Sequence, residues 1–299
     1  MKKNRSIRSL FSRSTGIFLF VLALILSRTP VLGQVEDSTD TRASSGKKLA
    51  RPAFESPQLM DDQSVVVPAA KTLEFNLQHR FGTVNNGIED LFGIYAPGAN
   101  IRLGFSYTPI DNLSLGFGYS KYKKYLDFNA KYAILKQRKD WSMPISMTYF
   151  GNIAIDNRSD VYEETVHRLS FYNELIIAIR ISDKISLQVS PSFSHFNAMD
   201  SLYSHDMIAV GFSGRYKFSD QSSIMINYTQ QLTDHDDPDF HLKPGLTFGW
   251  EIATSGHAFQ IFATTFQGII PQENIAFNEY DYAKGEFLIG FNITRLWNF

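Results

Sequence analysis

The stretch IRLGFSYTPIDNLSLGFGY, residues 101–119, decides the fold. Ile101, Leu103, Phe105 and Tyr107 alternate with Arg102, Gly104 and Ser106, and Leu113, Leu115, Phe117 and Tyr119 alternate with Ser114, Gly116 and Gly118. A period of two puts successive side chains on opposite faces of a strand. Between the two runs, Pro109-Ile110-Asp111 are residues that favour a tight turn. The pair is a hairpin with one apolar, aromatic face and one polar, small-residue face.

The same pattern extends outward. Leu73, Phe75 and Leu77 alternate with Thr72, Glu74, Asn76 and Gln78, and Leu126, Phe128, Ala130 and Tyr132 alternate with Asp127, Asn129 and Lys131. Further runs begin near Met143, Arg168, Lys184, Asp206, Ser222, Gly245, His257 and Lys284, which makes twelve. Each is roughly 9–13 residues long, the length that a tilted strand needs to cross a bilayer. The connections alternate as well. Ser182-Asp183-Lys184, Ser219-Asp220-Gln221 and Ser255-Gly256 are tight, whereas residues 81–99, 152–166, 196–205, 233–243 and 267–283 are long. Short turns at one end and long loops at the other mark an outer-membrane barrel. Two connections blur the pattern: KQRKDW is longer than its siblings, and the one around residues 121–124 is shorter. The expected fold is all-β, an antiparallel up-and-down transmembrane β-barrel of twelve strands over residues 71–299.

The N-terminus reads as an export signal. Lys2, Lys3, Arg5, Arg8 and Arg13 form a basic region, residues 16–26 an apolar run, and Val31-Leu32-Gly33 a cleavage site, so residues 1–33 are expected to be a signal peptide. The apolar run is short of the roughly 20 residues that span a bilayer. Residues 34–70 form a polar lead-in, expected to be periplasmic and partly disordered, since EDSTDTRASSGKK is poor in apolar residues. Within it, Val65-Val66-Val67 is readable as a strand or as a segment tucked into the barrel mouth. The chain has no cysteine, which excludes a lipid-modified N-terminal cysteine and disulfides. Loss of residues 1–33 removes six basic and no acidic residues, taking the formal charge from −1 to −7. That charge argues against a nucleic-acid partner, which needs a basic surface.

Residues 73–137 resemble an uncharacterised β-barrel family of Bacteroidota, a domain of unknown function. The resemblance rests on HRFG (79–82), Phe92-Gly93, NIRLGFSY (100–107), LSLGFGYSKYKK (113–124) and the stretch from Lys131-Tyr132 to Leu135, and it continues more weakly to the C-terminal strand. It implies an outer-membrane barrel and carries no catalytic residue, cofactor or substrate with it. The last strand places Phe287, Ile289, Phe291, Ile293, Trp297 and Phe299 on one face. A terminal aromatic of this kind, here Phe299 with Trp297, resembles the signal read by the barrel-assembly machinery. The expected partners are thus outer-membrane lipid, that machinery during biogenesis, and small solutes or envelope proteins.

The alternation assigns Glu74, Arg80, Arg102, Asp127, Lys131, Arg168, Glu174, Arg180, Glu251 and Glu286 to the lumen, because Arg or Lys facing lipid at mid-membrane costs roughly 2–4 kcal/mol. Two readings of that lumen stay open. One is a narrow small-solute pore whose charges set selectivity; the other is a plugged barrel, its opposite charges paired, that works through protein partners. Tyr95, Tyr107, Tyr119, Tyr149, Tyr228, Trp141, Trp250 and Trp297 read as interfacial girdles. The run His235-Asp236-Asp237-Pro238-Asp239-Phe240-His241 is rich in potential metal ligands but has no defined metal-loop spacing, and reads as a solvated acidic loop. A barrel hydrolase would need a serine with a histidine base. In Ser194-His195 the two residues point to opposite faces of a strand, Ser204-His205-Asp206 shows no further motif, and G-x-S-x-G is absent. No catalytic, cofactor or metal residue is expected.

Overall fold

In the computed structural model, residues 48–159 and 161–299 are described; the expected signal peptide and the first part of the lead-in lie outside them. Twelve strands form the wall: β3 (Thr72–Thr83), β4 (Asn100–Ile110), β5 (Leu113–Ser120), β6 (Leu126–Leu135), β7 (Ser146–Ile155), β8 (Leu169–Arg180), β9 (Ile185–Phe196), β10 (Asp206–Lys217), β11 (Ser222–Gln231), β12 (Gly245–Ala253), β13 (His257–Thr264) and β14 (Leu288–Asn298). Ahead of them β1 (Gln58–Leu59) and β2 (Asp62–Gln63) make a miniature hairpin, and one helix, α1 (Pro271–Phe277), lies between β13 and β14. Each strand pairs antiparallel with its sequence neighbour, and β14 closes on β3, with Phe291 opposite His79 and Trp297 opposite Leu73. Closure leaves no strand edge, the condition for a sheet to sit in hydrocarbon.

The strands are inverted relative to those of a soluble protein. On β9, Ser186, Gln188, Ser190, Ser192 and Ser194 are buried inside while Leu187 and Phe193 face outward and exposed. Phe105, Phe117, Phe128, Phe212, Ile226, Phe248 and Ile261 continue the exposed outer face around the barrel. Among the described residues no helix is long and apolar enough to cross a membrane.

The end that carries both barrel termini has the β4–β5, β8–β9, β10–β11 and β12–β13 turns, and the opposite end has the connections of 84–99, 156–168, 197–205, 232–244 and 265–287. Asn112 makes the β4–β5 turn in the left-handed region, at φ 72°. At the long-loop end Gly93, at φ 89°, brings the 84–99 loop against β3; a Cβ there would meet the Gly82 carbonyl oxygen at 2.3 Å, so only glycine fits. The long β6–β7 connection has its own task. It receives the lead-in as an added strap: Lys139 N–H donates to the Lys48 carbonyl and Ala50 N–H to that of Gln137.

Candidate functional site: an occupied lumen

The lead-in does not stay outside. From the strap at Lys48 the chain turns into the barrel, and residues 51–68 fill part of the lumen before the chain leaves through Ala70, whose N–H donates to Asp111 on the β4–β5 turn. The inserted segment folds back at Met60, which adopts φ 52° between β1 and β2. A two-stranded hairpin this short has no stability of its own; the wall holds it. Arg180 Nη1 donates to the Pro52 carbonyl, Lys131 Nζ to Pro57, Asn227 Nδ2 to Leu59, Asn292 Nδ2 to Met60, Gln188 Nε2 to Gln63 and Thr148 Oγ1 to Val65. The wall thus supplies the hydrogen bonds that a buried backbone needs.

Apolar contact reinforces this. Ala53, Phe54, Leu59, Met60 and Val65 of the plug share a buried cluster with wall residues that include Phe150, Tyr172, Ile176, Met207, Met225 and Phe262, and with Ile275 and Ala276 of α1. Side chains of this size contribute roughly 1.5–3 kcal/mol each when fully buried. The lumen therefore has a core of its own on the β7–β13 side. α1 reaches it from the long-loop end, with Gln272 donating to Asn152 Oδ1 across the barrel.

The β3–β8 side is polar. There a small cavity of about 60 Å³ lies between plug and wall, lined among others by Gln78, Arg102, Asp127, Asn129, Lys131 and Glu174. Arg102 grips Asp127 side-on through Nε and Nη2, at 2.8 and 2.7 Å, and its Nη1 donates to Gln78. It can lie flat across the wall because Gly104 and Gly118 carry no side chain; a Cβ on Gly118 would meet its Nη2 at 2.3 Å. Ile269, Ile270 and Pro271 close the chamber towards the long-loop end, Ile270 packing with Tyr125 and Ala154. Beyond them is a vestibule of about 640 Å³, lined among others by Tyr122, Tyr203, Phe240, Phe277, Glu279 and Glu286. Asn274 lines both the vestibule and the space beside Asp61, Asp62 and Glu174 on the other side of α1.

Of the charges assigned to the lumen, Glu74, Arg80, Asp127, Lys131, Glu174, Arg180 and Glu251 are buried on the inner face, and Arg102 is mostly so. Arg80 pairs with Asp61 of the plug, Glu251 accepts from Gln260, and Arg180 serves the terminal mouth through Pro52 and Asp183. Arg168 and Glu286 lie elsewhere. Arg168 ends the short 3-10 turn before β8 and donates to the Asp156 and Arg158 carbonyls, and Glu286 precedes β14 and accepts from the Asp281 N–H. The period of two places both in the lumen only when it is continued past the ends of the strands. Asp61, Asp62, Lys123 and Glu273 stand in segments with no periodicity, so the alternation gives no sign of them.

Trp297 faces outward, with the Arg295 guanidinium 5.5 Å from its ring centroid, and Phe299 is 80% exposed with its N–H donating to the Lys71 carbonyl. His235 is a clip: Nδ1 accepts from Ser204 N–H, and Nε2 bonds the Ala276 carbonyl, which fixes the proton on Nε2. It thus ties two loops to α1 in the place where the sequence showed possible metal ligands, and among the described residues no group of three or more such ligands converges. Ser194 faces the lumen and His195 faces out against Asp206, while the Ser204 hydroxyl donates to the Asp234 carbonyl, so neither serine hydroxyl is hydrogen-bonded to a histidine.

A closed, lipid-facing barrel around an occupied lumen defines a membrane β-barrel domain. The chain belongs to the family described as Membrane bound beta barrel domain (DUF5777), whose model matches residues 54–297 and so takes in most of the plug as well as the wall. No curated protein matches it. Among solved structures it is similar to the NanC porin (8% identity, TM-score 0.46, covering 76% of this chain and 99% of that one). It is similar also to the KdgM porin (8%, 0.44, 76% and 99%) and to an outer membrane channel from Pseudomonas putida F1 (11%, 0.49, 78% and 97%).

Proposed function

We propose that the protein is a small-solute channel of the outer membrane, closed in this conformation by two inserts, with its termini on the periplasmic side and its long loops on the cell surface. The observation that supports this is the unfilled polar chamber between plug and wall, separated from the vestibule only by the segment around Ile269, Ile270, Pro271 and α1. The inner face of charged and amide side chains suits water and polar solutes, and the outer face suits lipid.

The test is conductance in planar bilayers of the full-length protein, and of a variant in which residues 269–277 are replaced by a Gly/Ser linker. The intact protein is expected to conduct weakly and intermittently, and the variant several-fold more. Because the chain lacks cysteine, a single cysteine at Asn129 also reports whether a water-soluble thiol reagent reaches the chamber. If neither protein conducts and Asn129→Cys stays unlabelled in a folded barrel, the channel is refuted and a permanently plugged barrel working through partners takes its place.

A further inference from the structure

The vestibule holds an ammonium group supplied by the protein itself. Lys123 Nζ lies 2.7 Å from Glu273 Oε1, 4.2 Å from the centroid of the Phe277 ring and 5.5 Å from that of Tyr122. A carboxylate with aromatic faces around a cation is the chemistry that recognises organic ammonium ions. The other oxygen of Glu273 accepts from the Tyr125 hydroxyl at 2.8 Å, so the carboxylate is fixed in place and 4% exposed.

Lys123 occupies this cradle from a strained backbone. It sits at φ 50° and Lys124 at φ 51°, two consecutive non-glycine residues in the left-handed region between β5 and β6. The surroundings would take more than one N–H donor. Asn274 and Asn278, 6% and 4% exposed, both line the vestibule, and the Oδ1 atom of each has no hydrogen-bond partner. Glu279 and Glu286 line the same space. The neighbouring 232–244 loop carries Asp234, Asp236, Asp237 and Asp239 against the single base Lys243, a field that draws cations towards this end.

We propose that the vestibule is a binding site for small organic polyamines, in which a ligand ammonium displaces Lys123 from Glu273 and Phe277 while a second amine donates to Asn274 or Asn278. Binding in this sense goes beyond the channel reading and does not depend on it, since it is measured without any flux.

The experiment is calorimetric titration of the full-length protein in detergent with spermidine, with maltose and citrate as neutral and anionic controls. Spermidine is expected to bind and the controls not to. Lys123→Ala, which removes the internal competitor, is expected to bind at least five-fold more tightly, a gain that misfolding cannot mimic. Glu273→Gln and Phe277→Leu are each expected to weaken binding at least ten-fold. The proposal is overturned if spermidine binds neither the parent protein nor Lys123→Ala, or if Lys123→Ala binds no more tightly than the parent. It is equally overturned if Glu273→Gln and Phe277→Leu bind as the parent does, which would mean diffuse attraction to the acidic loops.

Discussion

Arg80 on β3 and Asp61 at the tip of the plug form an ion pair sealed from solvent: Nη2 and Nε reach the same carboxylate oxygen at 2.6 and 3.0 Å, and the two side chains are 0% and 1% exposed. The other oxygen accepts from Thr247 and Thr264, on β12 and β13. The Arg80 guanidinium also lies over the Phe262 ring, 4.5 Å from its centroid.

Arg80→Ala leaves the Asp61 charge buried without its partner, a change that typically costs 3–5 kcal/mol. The variant is expected to unfold at clearly lower urea concentration in vesicles. Arg80→Met combined with Asp61→Asn removes both charges and is expected to recover most of the loss, since an uncharged pair carries no stranded ion. A double variant as unstable as Arg80→Ala would show that shape, not charge, governs this contact.

The outer and inner faces are expected to respond oppositely to a charge. Ile226 lies outward on β11, so Ile226→Lys puts an ammonium into hydrocarbon and is expected to cost about 2–4 kcal/mol. Asn129 faces the polar chamber, and Asn129→Lys is expected to change stability by less than about 1 kcal/mol. Urea unfolding of the two variants side by side measures the difference, and equal losses would contradict the assignment of the faces.

At the terminal mouth the plug is held by Glu55, which lies 3.1 Å from Lys217 Nζ and 3.3 Å from Arg215 Nη1. Burial pushes the Glu55 carboxyl up, but the hydrogen bond from Lys217 and the charges of Arg215 and Lys217 outweigh it and leave the group below its ordinary value of 4.5. A carboxyl depressed in the folded state stabilises fully above its unfolded pKa, and that contribution fades as pH falls through the folded value. Protection of residues 51–56 against hydrogen exchange, corrected for the intrinsic pH dependence, is therefore expected to be high at neutral pH and to fall only once the pH drops below the ordinary carboxyl value of 4.5. Glu55→Gln is expected to exchange faster at neutral pH and to lose this acid-dependent step; an identical pH profile in that variant would rule out Glu55 as its source.

The wall was legible in the sequence because lipid outside and polar side chains inside impose a strict period of two, and strand ends are punctuated by turn residues. The plug was hard to see for the opposite reason. Ala53, Phe54, Leu59, Met60 and Val65 are scattered among prolines and polar residues, and a segment that meets wall atoms on all sides has no period to display. One trace of it existed. In β8, Leu175-Ile176-Ile177-Ala178-Ile179 is apolar on both faces, which a strand between lipid and water has no use for; Ile176 and Ala178 face the lumen's own core. α1 was hidden in the same way inside a connection that looked like any long loop. Lys123 and Glu273 sit 150 residues apart in such connections, so only the fold brings them together.

The position of the plug in the chain dictates an order of assembly. Residues 51–68 are made before any strand of the wall, yet the partners of the hairpin tip lie on β3, β11, β12, β13 and β14. The tip thus cannot complete its contacts until the final strand arrives, and that strand also seals the seam with β3. Insertion of the earliest segment and closure of the latest become one event, spanning more than 200 residues of sequence, which places the slow, long-range step of folding at the very end. A chain halted before β14 would carry a loose N-terminal segment and an open sheet together, and a quality-control protease would find both defects in the same molecule.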